Sequence, residues 1–293
     1  MRSTTLLKTL VSKRQALTVP GAPNAMFARV IEDLGFTAVY ATGAGIANMH
    51  LGAPDIGLTT LTEIASTVAA MADAVSLPIV VDADTGFGNA LNMTRTVRVL
   101  ERAGAAAIQI EDQVFPKRCG HFSGKAVIPL EDMVAKVMAA VDARRDSNMQ
   151  IIARTDARAV EGLDRAIERA NAFVAAGADM TFVEAPMTTA ELERVGSEIG
   201  VPQVANIVFG GKTPDPGRER FAEMGFSMVL YANAVLQAAL KASKEVLLGL
   251  KEDGSLKNIS SLLATFEDRQ QSVAKDYWDG LERRYATKTA TGP

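Results

Sequence analysis

The segment Ile108-Gln109-Ile110-Glu111-Asp112-Gln113-Val114-Phe115-Pro116-Lys117-Arg118-Cys119-Gly120-His121 concentrates reactive side chains more densely than any other part of the chain. An apolar run ends in two adjacent carboxylates. A basic loop follows, carrying the only cysteine of 293 residues and one of the two histidines. Charge from Lys117 and Arg118 beside His121 lowers the pKa of a thiol, which suits Cys119 to act as a nucleophile or an acid catalyst. A cysteine that merely fills a core is seldom set between Arg and Gly next to charge.

Further polar groups stand at the ends of other apolar runs: Thr42-Gly43, Asp82-Ala83-Asp84, Arg154-Thr155-Asp156, Glu184, Asn206 and Asn233. Any one of these acids could be a helix N-cap, Asp84 and Asp156 in particular. Taken together, carboxylates converging on one rim repel unless a cation joins them. Asp82, Asp84 and Glu111 are the expected cation cluster, and oxygen ligands alone favour Mg2+, or Mn2+, over zinc. Arg154 suits a substrate carboxylate, since its planar fork donates two parallel hydrogen bonds, though an ion pair with Asp156 or Glu184 would use the same atoms. His50 has nothing near it that resembles a catalytic pair.

The elements that must position these groups are short apolar strands at Leu17–Val19, Ala38–Ala41, Ile79–Val81, Ala107–Ile110, Ile151–Ala153, Met180–Val183, Gln203–Ala205 and Met228–Leu230. Amphipathic stretches lie between most of them. Thr60-x-x-Glu63 and Thr188-x-x-Glu191 read as helix starts, and Gly177 as the stop of a helix over Leu163–Ala176. Eight strands buried on both faces and alternating with helices predict a closed α/β barrel, a (β/α)8 TIM barrel, with every strand end on one rim. One barrel domain over residues 1–293 is expected, with a helical tail from about residue 259 whose Leu262, Leu263, Phe266, Tyr277, Trp278 and Leu281 need a surface to cover. Basic residues without an acid before Glu32 loosely suggest a transit peptide, but Leu6, Leu7, Leu10 and Val11 at helical spacing favour a packed N-terminal helix.

Composition sets the outer bounds. Hydrophobic content of 48% and charged content of 22% are ordinary for a globular protein with a large core. A net charge of −3 gives no electrostatic reason to expect nucleic acid or a membrane surface as partner. No apolar run approaches the ~18 residues of a membrane span. One cysteine excludes an internal disulfide framework and fits a reducing, cytoplasmic compartment.

Several of these motifs resemble those of the isocitrate lyase/phosphoenolpyruvate mutase superfamily, over roughly residues 5–285. Lys117-Arg118-Cys119-Gly120-His121 resembles the signature of its lyase branch, and Val81-Asp82-Ala83-Asp84-Thr85-Gly86-Phe87-Gly88 its metal loop. Leu51-Gly52-Ala53-Pro54-Asp55 resembles the segment with a further metal-site acid. Ile110-Glu111-Asp112-Gln113, Ala153-Arg154-Thr155-Asp156 and Val183-Glu184-Ala185 also match, as does Asn206 with Gly210-Gly211-Lys212-Thr213-Pro214, which is similar to the loop of 2-methylisocitrate and 2,3-dimethylmalate lyases.

The resemblance implies Mg2+ held by Asp82, with Asp55, Asp84 and Glu111 engaged partly through water. It implies an α-oxyacid substrate bound by Tyr40, Thr42, Gly43, Ala44 and Arg154, with Glu184, Asn206 and Gly120 as further contacts. Cys119, Lys117, His121 and Glu111 would be the catalytic set, with the 117–121 loop as a lid. A homodimer or homotetramer that exchanges its last helix is implied too. The expected reaction is Mg2+-dependent carbon–carbon cleavage of a 2-hydroxy di- or tricarboxylate, a substituted malate or a methylisocitrate type, to an α-keto acid and a carboxylate. Carboxyphosphonoenolpyruvate phosphonomutase and oxaloacetate hydrolase or decarboxylase chemistry are the alternatives on the same scaffold, and a barrel that only binds or scaffolds is the non-enzymatic one. Three departures bear on the substrate: Thr42-Gly43-Ala44 where Ser-Gly-Gly or Ser-Gly-Leu is usual, Phe209 where Glu is common, and Ala232 where Pro is frequent. An apolar Phe209 in the pocket would favour a dicarboxylate over a tricarboxylate.

Overall fold

The computed structural model describes residues 1–118 and 124–286. Eight parallel strands close on themselves in sequence order: β1 Leu17–Ala22, β2 Val39–Ala41, β3 Ile79–Asp82, β4 Ala105–Glu111, β5 Gln150–Thr155, β6 Met180–Val183, β7 Gln203–Asn206 and β8 Phe226–Tyr231. The closure is made by β1 on β8, with Leu17 beside Met228 and Val19 beside Leu230. The expected (β/α)8 barrel is therefore the fold. Most strands run one to three residues beyond their apolar runs, because their ends carry the polar residues of the rim.

The helices in chain order are α1 Ser3–Val11, α2 Ala25–Asp33, α3 Gly43–Ile46, α4 Leu61–Ala74, α5 Ala90–Arg102, α6 Leu130–Ala143, α7 Leu163–Ala175, α8 Thr189–Glu198, α9 Arg218–Glu223, α10 Ala234–Asp253, α11 Phe266–Ser272 and α12 Lys275–Tyr285. Their starts follow the capping chemistry. Thr60 and Glu63 form a full capping box at α4, Asn89 and Asn92 form another at α5, and Thr188 accepts from Glu191 N at α8. Gly177, at φ 100°, follows α7 where only a glycine turns without strain.

Alternation of side chains along each strand sorts the core into two layers. Ile79, Val81, Ile108, Ile110, Ile151 and Ala153 point outward and pack under α2, α4, α5 and α6. Val80, Ala107, Ile152, Phe182, Val204, Met228 and Leu230 fill the barrel, where Leu7 and Val11 of α1 join them. The spacing of Leu7 and Val11 thus builds a packed helix, as expected. Stepping by two from this inner layer toward the strand ends reaches Asp82, Gln109 and Glu111, Arg154, Glu184 and Asn206. The site is the inward-facing series of the barrel continued past its apolar part.

The chain divides into two compact units, residues 1–236 and 237–293. Within the second, α11 and α12 bury no residue, and Leu262, Leu263, Phe266, Tyr277 and Trp278 are exposed. Among the described residues no helix is long and apolar enough to cross a membrane.

Candidate active site

A small polar cleft opens on the rim, lined by Tyr40, Thr42, Ala44, Asp55, Asp82, Lys117, Arg154, Glu184, Asn206 and Asn233 together with Phe182, Val208, Leu230 and Ala232. Of the twelve expected site residues in the described chain, nine line it, while Gly43, Asp84 and Glu111 do not. A larger groove of about 830 Å3 runs elsewhere, between the β2–α4 and β3–α5 loops and α6. Its lining is mainly apolar, and the convergent charges are in the smaller cleft.

At one end of the cleft, Asp82 is held by its neighbours. Its Oδ1 accepts from Gln109 Nε2 at 3.3 Å and from the Asp84 backbone at 3.2 Å, and its Oδ2 accepts from Gly43 N at 3.3 Å. A Cβ on Gly43 would lie 2.9 Å from that oxygen and press on the carboxylate. Thr42 caps α3 through Gly45 N, and its hydroxyl donates to Asn233 Oδ1 at 3.5 Å. Tyr40 donates to Gln109 Oε1. Burial, then the charge of Asp82, push its phenol well above the usual range, so Tyr40 stays a neutral donor.

Lys117 is the cation of this end. Its ammonium is buried between Asp55, to which it hydrogen-bonds, and Asp84, whose Oδ1 is 2.9 Å away. Burial alone would lower its pKa, but Asp84, Glu111, Asp55 and Asp82 outweigh that and hold it well above its ordinary value. Lys117 is a fixed positive charge and not a base. Burial raises Asp84 to about 6 and Glu111 well above the carboxylate range, with Lys117 and Arg154 respectively opposing the shift.

At the other end, Arg154 is buried and spends one edge of its fork on Asp156, with Nε to Oδ2 at 2.9 Å and Nη2 to Oδ1 at 3.2 Å. Its Nε also lies 3.3 Å from Glu111 Oε2, and its Nη1 lies 3.6 Å from Glu184 Oε2. The ion pair with Asp156 is therefore real, and it aims the guanidinium. Phe182 packs beneath, with the guanidinium carbon 5.2 Å from its ring centre. Under Asp156, Asp112 accepts from Thr155 Oγ1 at 2.7 Å and from Asp156 N at 2.9 Å, and burial raises Asp112 to about 6.

The loop that carries the cysteine leaves the barrel through a narrow neck. Gln113 bridges Val127 in antiparallel fashion, Val114 N donates to Ala126 O and Ile128 N donates to Asp112 O. Gln113 also clasps Arg118, donating to its carbonyl and accepting from its N–H. Cys119, Gly120 and His121 lie outside the described residues. His50 is exposed and 3.8 Å from Glu63, away from the chemistry.

The donors expected for a divalent cation fit one chemically. All are hard oxygens, Glu111 Oε1 is buried without a hydrogen-bond partner, and Asp55 and Asp84 already close on a positive charge. Among the described residues, however, no three acidic, His or Cys side chains are already gathered as metal ligands. The ammonium of Lys117 supplies the positive charge between Asp55 and Asp84.

One expectation is overturned. Phe209 is 88% exposed and does not line the cleft, although its neighbour Val208 does. It cannot bar a third carboxylate, so the argument for a dicarboxylate lapses. Ala232 does line the cleft and sits tight on β1, where a Cβ on Gly21 would meet its carbonyl at 2.0 Å. Sequence reasoning also missed Lys125, whose buried ammonium bonds Asp156 Oδ1 at 2.6 Å. Its only signal was a second lysine on the far side of the cysteine loop.

The chain is 41% identical over 287 residues to 2,3-dimethylmalate lyase of Eubacterium barkeri, covering 98% of this chain and 99% of that protein. It is 47% identical over 296 residues to 2-methylisocitrate lyase of Aeropyrum pernix, covering 97% and 95%. A crystal structure of 2,3-dimethylmalate lyase superposes with a TM-score of 0.93 at 31% identity, over 100% of this chain and 98% of that one. The expected class, a carbon–carbon lyase of this superfamily, agrees with the names of these relatives. The phosphoenolpyruvate phosphomutase family model matches residues 7–250, and the chain belongs to that family, within the PEP mutase/isocitrate lyase superfamily.

Proposed function

We propose that the protein is a Mg2+-dependent lyase that cleaves a carbon–carbon bond of a 2-hydroxy di- or tricarboxylate. The observation that carries this reading is the two-ended cleft, with buried oxygen donors at one end and a clamped guanidinium at the other. Asp82, Asp84, Asp55 and Glu111 would hold the ion. When bound, Mg2+ supplies Lewis-acid stabilisation of the negative charge that develops on the α-oxyacid oxygens.

The chain's own groups do the rest. Arg154, aimed by Asp156, receives a substrate carboxylate, and Tyr40, Thr42, Gly43, Ala44, Glu184 and Asn206 frame the oxyacid. Glu111, its proton affinity raised by burial against the opposing charge of Arg154, is suited to accept and hold a proton. A base, for which Glu111 is the candidate, would take the hydroxyl proton, so that the C–O bond becomes a carbonyl as the C–C bond breaks and the electron pair passes to the departing carboxylate fragment as a carbanion. Cys119 then protonates that carbanion, with Lys117, His121 and Gly120 of the same loop forming the lid that excludes water. The single cysteine supports a reducing, cytoplasmic setting. The exposed apolar side chains of the tail support assembly into a homodimer or homotetramer, by exchange of the last helix.

Incubation with 2,3-dimethylmalate, 2-methylisocitrate, oxaloacetate and phosphonopyruvate, each with and without Mg2+, tests this. Mg2+-dependent release of an α-keto acid from one of the two hydroxy acids is expected. Turnover confined to oxaloacetate or the phosphonate would overturn it. Because Phe209 leaves the cleft open, the ratio of kcat/KM for the two hydroxy acids decides the substrate.

A further inference from the structure

Asp156 is fully buried and takes charge from two directions. Its Oδ2 accepts from Arg154 Nε at 2.9 Å, while its Oδ1 accepts from Arg154 Nη2 at 3.2 Å and from Lys125 Nζ at 2.6 Å. The Lys125 side chain is only 2% exposed, a placement that an ammonium tolerates only with a close anionic partner. Nothing in the reaction outlined above uses it.

Arg154 faces three carboxylates, those of Asp156, Glu111 and Glu184. A guanidinium so surrounded sits in a net negative field and attracts a further carboxylate poorly. Lys125 offsets Asp156, so the charge of Arg154 remains effective toward the cleft. The same contact fixes the Asp156 carboxylate, and with it the plane of the guanidinium. Burial alone would raise the pKa of Asp156, but Arg154 and Lys125 outweigh it and keep this carboxyl ionised.

Position in the chain adds a second consequence. Lys117 and Lys125 stand on the outgoing and returning arms of one neck, closed by the bridge between Gln113 and Val127. Each arm seats a buried ammonium on acids of the rim, Lys117 on Asp55 and Asp84, Lys125 on Asp156. We propose that Lys125 is a positioning residue for Arg154, acting through Asp156, and that it sets the affinity of the cleft for the substrate carboxylate. The proposal rests on the reading of Arg154 as the carboxylate partner.

The test uses full-length Lys125→Met, Lys125→Gln and Lys125→Arg, with oxalate as a non-reacting dianion titrated by calorimetry at saturating Mg2+. Lys125→Met and Lys125→Gln are expected to bind oxalate about 10- to 100-fold more weakly, with a matching rise in KM and a much smaller fall in kcat. Lys125→Arg should recover most of the affinity, since it restores the charge. Unchanged oxalate affinity and KM in a folded Lys125→Met or Lys125→Gln protein would overturn the proposal. So would equal loss in Lys125→Arg, or failure of all three variants to fold, because the role would then be structural. Oxalate binding needs no turnover, so the test still reads if the proposed cleavage is not found. Failure of the wild type to bind oxalate removes the carboxylate reading itself, and this proposal with it.

Discussion

The two ends of the cleft solve the same electrostatic problem in different ways. Both gather carboxylates in a buried rim, where unpaired charge is expensive. At the Arg154 end the cation that faces the cleft grows from the barrel itself, on β5, and is locked by a fork onto Asp156, which the loop-borne Lys125 also pairs. At the Asp82 end it is Lys117, delivered on a loop and shared between two acids from other loops. A cation built into a strand is permanent. One brought by a loop can be complemented or replaced, and an end arranged that way is suited to a dissociable metal ion. On the reading proposed above, the difference would separate a fixed anion receptor from an exchangeable cation site.

The comparison is broken most severely by removing the built-in cation. Arg154→Met removes the guanidinium shared by Asp156, Glu111 and Glu184 and leaves Asp156 to Lys125, and we expect a loss of about 3–5 kcal/mol in denaturant unfolding that Mg2+ does not restore. Activity should be undetectable. Next comes Lys117→Met, expected to cost about 3 kcal/mol in metal-free protein. Here Mg2+ should return most of the stability, because a divalent cation satisfies the same acids; unfolding curves with and without the ion, compared with those of Arg154→Met, sharpen the contrast.

A smaller effect is expected of Gly43→Ala. Its Cβ would press within 2.9 Å of Asp82 Oδ2, and Mg2+ affinity measured by calorimetry should fall about tenfold, near 1.4 kcal/mol, while global stability changes less. The smallest effect is a pH dependence at Asp112. Its folded pKa of about 6 lies above the ordinary carboxylate value of 3.8, so the native state binds the proton more tightly than the unfolded chain. Its contribution to stability is therefore present at low pH and is lost as pH rises through the folded pKa. Relative to Asp112→Asn, the wild type should lose about 1 kcal/mol between about pH 5 and 6. A parallel pair of stability–pH curves would remove the assignment.

Legibility in the sequence divided along the same line. The barrel could be read because period-two burial and capping pairs such as Thr60 with Glu63 are local. That Asp82, Glu111, Arg154 and Glu184 share one rim could be read because they end apolar runs on the inward face. What Arg154 does could not be settled from sequence, since Asp156 and a substrate carboxylate compete for one fork. Lys125 went unseen because its meaning depends on Asp156, 31 residues away across the rim. Phe209 misled for the complementary reason: a position beside the cleft in sequence says nothing about which way the side chain faces, and Val208 takes the inner place.

The central claim is that the Asp82 end holds the metal and the Arg154 end does not. A calorimetric titration of Mg2+ into wild type, Asp82→Asn and Arg154→Lys tests it most directly. The account predicts that Asp82→Asn abolishes Mg2+ binding, while Arg154→Lys binds the ion with an affinity close to that of the wild type. Equal binding by wild type and Asp82→Asn, or loss of binding only in Arg154→Lys, would contradict it.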